Sequence, residues 1–247
     1  MITKKMFLTF FVMLFFALSF SFAQNTQLKE LFEKNMVAIP NQNFSMLKTE
    51  VTQKMYTAVM GENRSYYKGD DLPVEYVCWY DAIYFCNVLS EKLGLTPVYA
   101  VNGETDVSSW GYIPHKEEEL EGEITQSEVA DGFRLPTNDE WEYAAKGGQN
   151  YTFAGSDNIG KVGWYLDNSE EKTHFVAEKM PNGYGVYDMS GNVEEWVWDF
   201  FSSRTRYRRG GSVWHYRDEC KINYIDDFHF FAISRFPNLG FRVVRSK

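Results

Sequence analysis

Apolar residues follow three different rhythms along this chain. The first is a nearly unbroken run, Met6 to Phe20, interrupted by Thr9 and Ser19. Lys4 and Lys5 precede it and Ser21-Phe22-Ala23 follow it. A basic start, an apolar stretch and a small-x-small ending predict a secretory signal peptide over residues 1–23, cleaved near Ala23. The apolar run is about 15 residues long, short of the roughly 20 that a membrane span needs. An uncleaved anchor is the alternative, and it is the one route to a membrane that the pattern offers. The expected location is therefore outside the cytoplasm, periplasmic or extracellular.

The second rhythm is helical. Residues 24–48 read as a polar linker and a first strand, Met36-Val37-Ala38-Ile39. Thr52 then caps a helix whose apolar face is Met55, Tyr56, Val59 and Met60, and Gly61 ends it. Leu72-Pro73-Val74 is extended, because proline disfavours helix in the residue before it. Asp81 is placed to cap a second helix with buried Ala82, Phe85, Cys86, Leu89 and Leu93, and Gly94 takes the C′ position. Thr137-Asn138-Asp139-Glu140 has the Thr-x-x-Glu form of a capping box. Trp141, Ala144 and Ala145 follow on one face before Gly147-Gly148 stops the helix.

The third rhythm is short and irregular. Glu104 to Asp131 is acidic and weakly periodic, a surface loop or hairpin with Trp110 and Tyr112 on one strand. Beyond Gly148, Gly, Asn and Asp recur every few residues between short aromatic runs, which predicts loops and short strands and no helix. Helices early and strands late define an α+β domain over residues 49–247.

Composition narrows the function. A chain of 224 residues after cleavage suits one domain and is long enough to bury a sizeable core. The formal charge is −9, and −11 once Lys4 and Lys5 are removed, which leaves no electrostatic attraction for nucleic acid. Three cysteines, Cys78, Cys86 and Cys220, are too few for a disulfide framework, and an odd number leaves a thiol unpaired within the chain. No Ser-His-Asp arrangement, phosphate loop or zinc motif is evident, and His115, His174 and His229 lack ligand spacing.

Five segments then carry a resemblance. Pro73-Val74-Glu75-Tyr76-Val77-Cys78-Trp79-Tyr80-Asp81-Ala82, Gly132-Phe133-Arg134-Leu135-Pro136-Thr137 running on to Ala145, Pro181-Asn182-Gly183-Tyr184-Gly185 running on to Trp196, Arg209-Gly210-Gly211-Ser212, and Gly240-Phe241-Arg242 occur in this order. Together they resemble the formylglycine-generating enzyme (sulfatase-modifying factor) family, and Glu50-Val51-Thr52-Gln53 adds an upstream match. The resemblance implies a C-type-lectin-like variant of that fold, with little regular structure.

That family oxidises a cysteine of a sulfatase peptide with copper, held by two cysteines, and molecular oxygen. Two soft thiolates suit Cu(I). The matching positions here are His215 and Cys220, so one of the pair is missing. Cys220 is the candidate catalytic thiol, with Arg217 and Lys221 near enough in sequence to lower its pKa. A small buried residue on a strand is the competing account. His215 is the candidate at the position of the missing cysteine. The family disulfide partner of Cys86 falls on Val243, so that bridge is absent, and Cys78 and Cys86 are not expected to pair.

The resemblance also implies structural calcium. Asn192, the Val193 carbonyl and Glu195 fall on family ligand positions in the oxygen-rich turn from Asp188 to Glu195, and Asp167 and Asn168 are weaker candidates for a second site. Calcium takes six to eight oxygens. A turn closed by Asn and Asp without metal is the alternative. Arg134 reads as an internal ion-pair donor to Glu142 or Glu195.

Three roles follow: an exported, catalytically diverged domain that binds a peptide or glycan or serves envelope assembly; a thiol-dependent oxidoreductase generating formylglycine with Cys220; or a structural envelope component with a broad apolar patch.

Overall fold

Residues 25–33 form a helix, α1, that buries Leu28 and Phe32 in the main core. Their polarity reads as a linker, but the four-residue spacing of these two side chains suffices to seat one helical face. The computed structural model describes residues 25–116, 118–202, 204–225 and 230–247. The signal peptide expected over residues 1–23 lies outside the described residues. Among the described residues, no helix is long and apolar enough to cross a membrane.

β1 (Met36–Ala38) and β2 (Phe44–Leu47) form an antiparallel hairpin. Helix α2 (Gln53–Met60) follows the predicted chemistry. The Thr52 hydroxyl accepts from the Met55 N–H at 3.2 Å, and Gly61, at φ 81°, donates its N–H to Thr57 O. Helix α3 (Trp79–Lys92) starts three residues earlier than expected. Asp81 is its third residue, not its cap. From there its carboxylate reaches back to accept from the Cys78 N–H at 2.9 Å. Gly94 is left-handed, as its place after the helix requires.

The acidic stretch is bracketed by a hairpin of β3 (Tyr99–Val101) and β4 (Ile124–Gln126). Trp110 and Tyr112 are not on a strand. They follow a 3₁₀ turn, Val107–Ser109, and both are buried, because each polar tip finds a partner inside: Glu104 O for the indole and Asp81 for the phenol. β5 (Phe133–Arg134) leads into α4 (Asn138–Lys146), where Thr137 and Glu140 close the capping box in both directions. One further turn of helix, α5 (Ile159–Val162), forms where none is expected. Asn158 caps it, and its Ile159 and Val162 are buried. Five strands complete the described chain: β6 (Glu194–Phe200), β7 (Thr205–Arg209), β8 (Phe230–Phe231), β9 (Leu239–Phe241) and β10 (Val244–Ser246).

The strands make two four-stranded sheets, ordered β1-β2-β10-β5 and β8-β7-β6-β9, beside the β3-β4 pair. Only β6 with β9 is parallel among these pairs. The result is the expected α+β fold. Buried aromatics join its helical and stranded halves. Tyr56 stacks on Phe85 at 5.3 Å between centroids, and Phe85 meets Phe241 edge-on at 5.2 Å. Trp79 donates to Val197 O and Trp196 to Val77 O, so each indole ties one half to the other. Cys78, Cys86 and Cys220 are all buried and unpaired. Stability rests on this core, at about 1.5–3 kcal/mol for each large apolar side chain buried.

Candidate functional site

β7 ends at Arg209, and the next two residues turn left-handed, Gly210 at φ 92° and Gly211 at φ 68°. Gly211 has a second reason to lack a side chain: a Cβ there would lie 2.7 Å from Cys220 Sγ. Cys220 sits at the end of a 3₁₀ turn, Arg217–Cys220, and not on a strand. It is fully buried against Phe153, Ile159 and Val162. Burial pushes its thiol up to about 12, and the negative charges of Glu219 and Glu194 act in the same direction. Arg217 and Lys221 do not lower it as their place in sequence suggests. The Arg217 guanidinium lies over the Phe153 ring at 5.4 Å, and Lys221 pairs with Asp218 at 2.9 Å.

His215 is half-buried and directed back into its own loop, its Nδ1 2.6 Å from Ser212 Oγ. That hydroxyl also accepts from Asn238 Nδ2 at 2.8 Å. One sealed thiol and one imidazole held by a serine do not fit a two-thiolate copper centre. Nor does any group of three His, Cys, Asp or Glu gather as a metal site among the described residues. The remaining histidines are placed for other work. His115 lies 3.1 Å from Tyr56 Oη, and His174 stacks on Trp164 at 3.7 Å. His229 lies outside the described residues.

In the oxygen-rich turn, Asp188 and Asn192 are both left-handed, at φ 58° and 63°. Asn192 Oδ1 accepts from the His174 N–H at 3.0 Å, while its Nδ2 donates to Glu50 Oε2 at 3.1 Å. The Val193 N–H donates to Glu50 Oε1 at 3.2 Å. Both oxygens of Glu195 are held by Arg242 at 2.6 Å, and Trp141 Nε1 adds a third bond at 2.8 Å. The oxygen left without a partner is Asp188 Oδ1, which is buried. Burial raises both Glu50 and Asp188, the latter to about 6, and the carboxylates of this group reinforce one another. Three buried carboxylates facing one guanidinium carry excess negative charge, which a cation or protons must balance. Asn192, Glu50 and Glu195 already spend their oxygens on partners within the protein, so Asp188 Oδ1 is the side-chain oxygen of the turn left for a cation or a proton. Asp167 is exposed, and Asn168 closes its own turn through the Tyr165 N–H and Gly163 O.

Arg134 pairs with Glu140 at 2.6 and 2.7 Å, not with Glu142 or Glu195. The reason is local: β5 runs directly into α4, which brings Glu140 of the capping box beside the guanidinium. Glu142 pairs instead with Arg209 and Lys146.

One cluster has no counterpart in the sequence reading. Glu170 and Glu171 are successive non-glycine residues at positive φ, 54° and 55°. The Glu171 carbonyl accepts from Tyr67 Oη at 2.8 Å and from Trp214 Nε1 at 2.9 Å. Tyr66 packs edge-on against Tyr67 at 5.1 Å between centroids. A Cβ on Gly69 would touch the Phe175 ring at 3.5 Å. Three separate stretches of chain thus meet at one exposed aromatic rim. No pattern in sequence links Tyr66-Tyr67 to Trp214, so only the fold could bring them together.

The domain mixes helix and sheet, sets a glycine turn against a buried cysteine and locks a buried glutamate with an arginine. The chain belongs to the sulfatase-modifying factor enzyme 1-like domain family, whose model matches residues 19–247. It is 38% identical over 232 residues to the chaperone protein LppX of Paenibacillus barcinonensis, covering 83% of this chain and 81% of that one. Its similarity to the formylglycine-generating enzyme of Streptomyces coelicolor is 38% over 86 residues, 29% of this chain and 27% of the enzyme. Among solved structures, Treponema denticola variable protein 1 superposes with a TM-score of 0.76 at 33% identity, covering 86% of this chain and 91% of that one.

Proposed function

We propose that this chain is an exported, catalytically diverged member of its family that binds polypeptide segments. The observation that carries this reading is Cys220. It is fully buried, its thiol is raised to about 12, and its would-be partner is a histidine bonded to Ser212. A thiol in that setting is a poor nucleophile and a poor metal ligand. Similarity to a protein named as a chaperone, across most of both chains, supports a polypeptide ligand over a small molecule. The apolar segment Met6 to Phe20 supports export.

Calcium belongs to this reading as a structural ion. Asp188, whose Oδ1 has no partner within the protein, is the side chain that would meet it, and it would neutralise charge the fold otherwise buries.

The test incubates the protein from Gln24 to Lys247 with copper, oxygen and a peptide carrying the Cys-x-Pro-x-Arg sulfatase motif, beside a Cys220→Ser control. Mass spectrometry should find the peptide cysteine unchanged in both. Conversion to an aldehyde, lost in the control, would overturn the reading and restore Cys220 as a catalytic thiol.

A further inference from the structure

We infer that the polypeptide ligand is gripped at the aromatic rim of Tyr66, Tyr67, Phe175 and Trp214, and that it is a segment bearing Lys or Arg side chains. The inference rests on the binding role proposed above and adds to it a place and a ligand chemistry.

The first argument is exposure. Tyr66 is 69% exposed, Phe175 51% and Trp214 40%. Single exposed apolar residues need no explanation, but rings from three distant stretches meeting at one place do. Rigid aromatic side chains give large contact area at small entropic cost, which suits a binding surface.

Strain supplies the second argument. Left-handed backbone is unfavourable for a non-glycine residue, and here it falls on two residues in succession. Such strain persists only where the surroundings over-determine it, and it clusters at ligand clamps. At this rim it places the Glu171 carbonyl where Tyr67 and Trp214 both donate to it. With both donors engaged inside the protein, what these two rings offer a ligand is their π surface.

Charge then selects the ligand. Segments 61–71, 167–172 and 212–216 carry six carboxylates against three basic side chains. Two of those bases are paired within the rim, Arg64 with Glu62 and Lys172 with Glu170. Aromatic faces attract cations, Arg more often than Lys, and a negative field steers a basic partner towards them. An acidic segment would meet repulsion here.

An array of immobilised random peptides, sorted by net charge, tests this at low salt with wild-type protein and three variants: Trp214→Ala, Tyr66→Ala, and the double charge reversal Asp70→Lys/Asp167→Lys. Thermal unfolding shows whether each variant is folded, and Trp214→Phe controls for loss of the indole bond alone. The expected result is retention of basic peptides by the wild type, about tenfold weaker binding in each aromatic truncation, and weaker binding in the charge reversal with every ring intact. Trp214→Phe should keep most of the affinity. Undiminished binding by folded Trp214→Ala and Tyr66→Ala would overturn the rim while leaving polypeptide binding intact. A preference for acidic or neutral peptides would overturn the ligand chemistry. Retention of no peptide, and of no saccharide on a parallel array, would remove both the rim and the binding role. Trp214-dependent retention on a parallel saccharide array, with no peptide retained, would replace the ligand class with a glycan.

Discussion

Arg242 meets Glu195 side-on, Nε to Oε2 and Nη2 to Oε1, both at 2.6 Å and both out of contact with solvent. The same guanidinium also donates to Leu47 O and Tyr187 O. One side chain therefore joins three stretches of chain and offsets the charge of Glu50 and Asp188 as well as that of Glu195. Removing one partner of such a pair leaves the other buried and uncompensated. Arg242→Ala should cost about 3–5 kcal/mol in urea unfolding, and Arg242→Ala/Glu195→Leu should recover part of the loss. A cost within about 0.5 kcal/mol, as for a surface change, would show that the pair is not what holds these strands.

The thiols should be silent in the folded protein. Cys78 and Cys220 are each pushed up to about 12 by burial, and Cys86 is raised by the same cause. A thiol reagent at about pH 8 should label none of them quickly, and all three should react once the protein is unfolded. Rapid labelling of Cys220 in the native state would reopen the question of its accessibility.

Glu75 gives the fold a pH dependence of definite sign. Burial raises its carboxyl from 4.5 to about 7, against the opposing pull of the Tyr66 and Tyr67 N–H groups and of Lys68. An acid raised on folding stabilises the native state below its unfolded pKa, and that contribution is lost as pH rises through its folded value. Stability should therefore fall between about pH 4.5 and 7, and Glu75→Gln should flatten this part of the profile. Because the Tyr67 N–H donates to this carboxylate at 2.8 Å, amide exchange at Tyr67 reports the same event. Parallel wild-type and Glu75→Gln profiles would assign the slope to another group.

Calcium should raise the melting temperature, a chelator should reverse the rise, and Asp188→Asn should reduce it. The unpartnered oxygen and the excess buried charge motivate the experiment. Identical melting curves with calcium and with chelator would leave the charge to be balanced by protons alone.

Much of this molecule is legible in sequence wherever local chemistry decides the outcome. Thr52, Thr137 and Glu140 cap their helices because a hydroxyl or carboxylate within three residues is all that a cap requires. Gly94 and Gly147 end helices for an equally local reason. Asp81 shows the limit: its carboxylate does satisfy the helix start, but from the third position, which the pattern alone does not separate from the cap. The partner of Arg242 depends on which strand lies beside which, and nothing in the sequence fixes that. The same holds for Cys220. Its sequence neighbours are basic, yet its spatial neighbours are Phe153, Ile159 and Val162, and those decide its reactivity. The rim at Glu171 is the extreme case, since Tyr67 and Trp214 reach it from 104 positions before and 43 positions after.

β10 lies in the middle of its sheet, between β2 and β5, although it is the last strand in sequence. β9, just before it, flanks β6 in the other sheet. Neither sheet can therefore close until the residues of β9 and β10 have been made. The early helices must wait, with Tyr56 and Phe85 lacking their Phe241 neighbour, until β9 has emerged. Such late, long-range closure makes folding slow and keeps the nascent chain open for longer. Moving β10 to the front by circular permutation should shorten that delay.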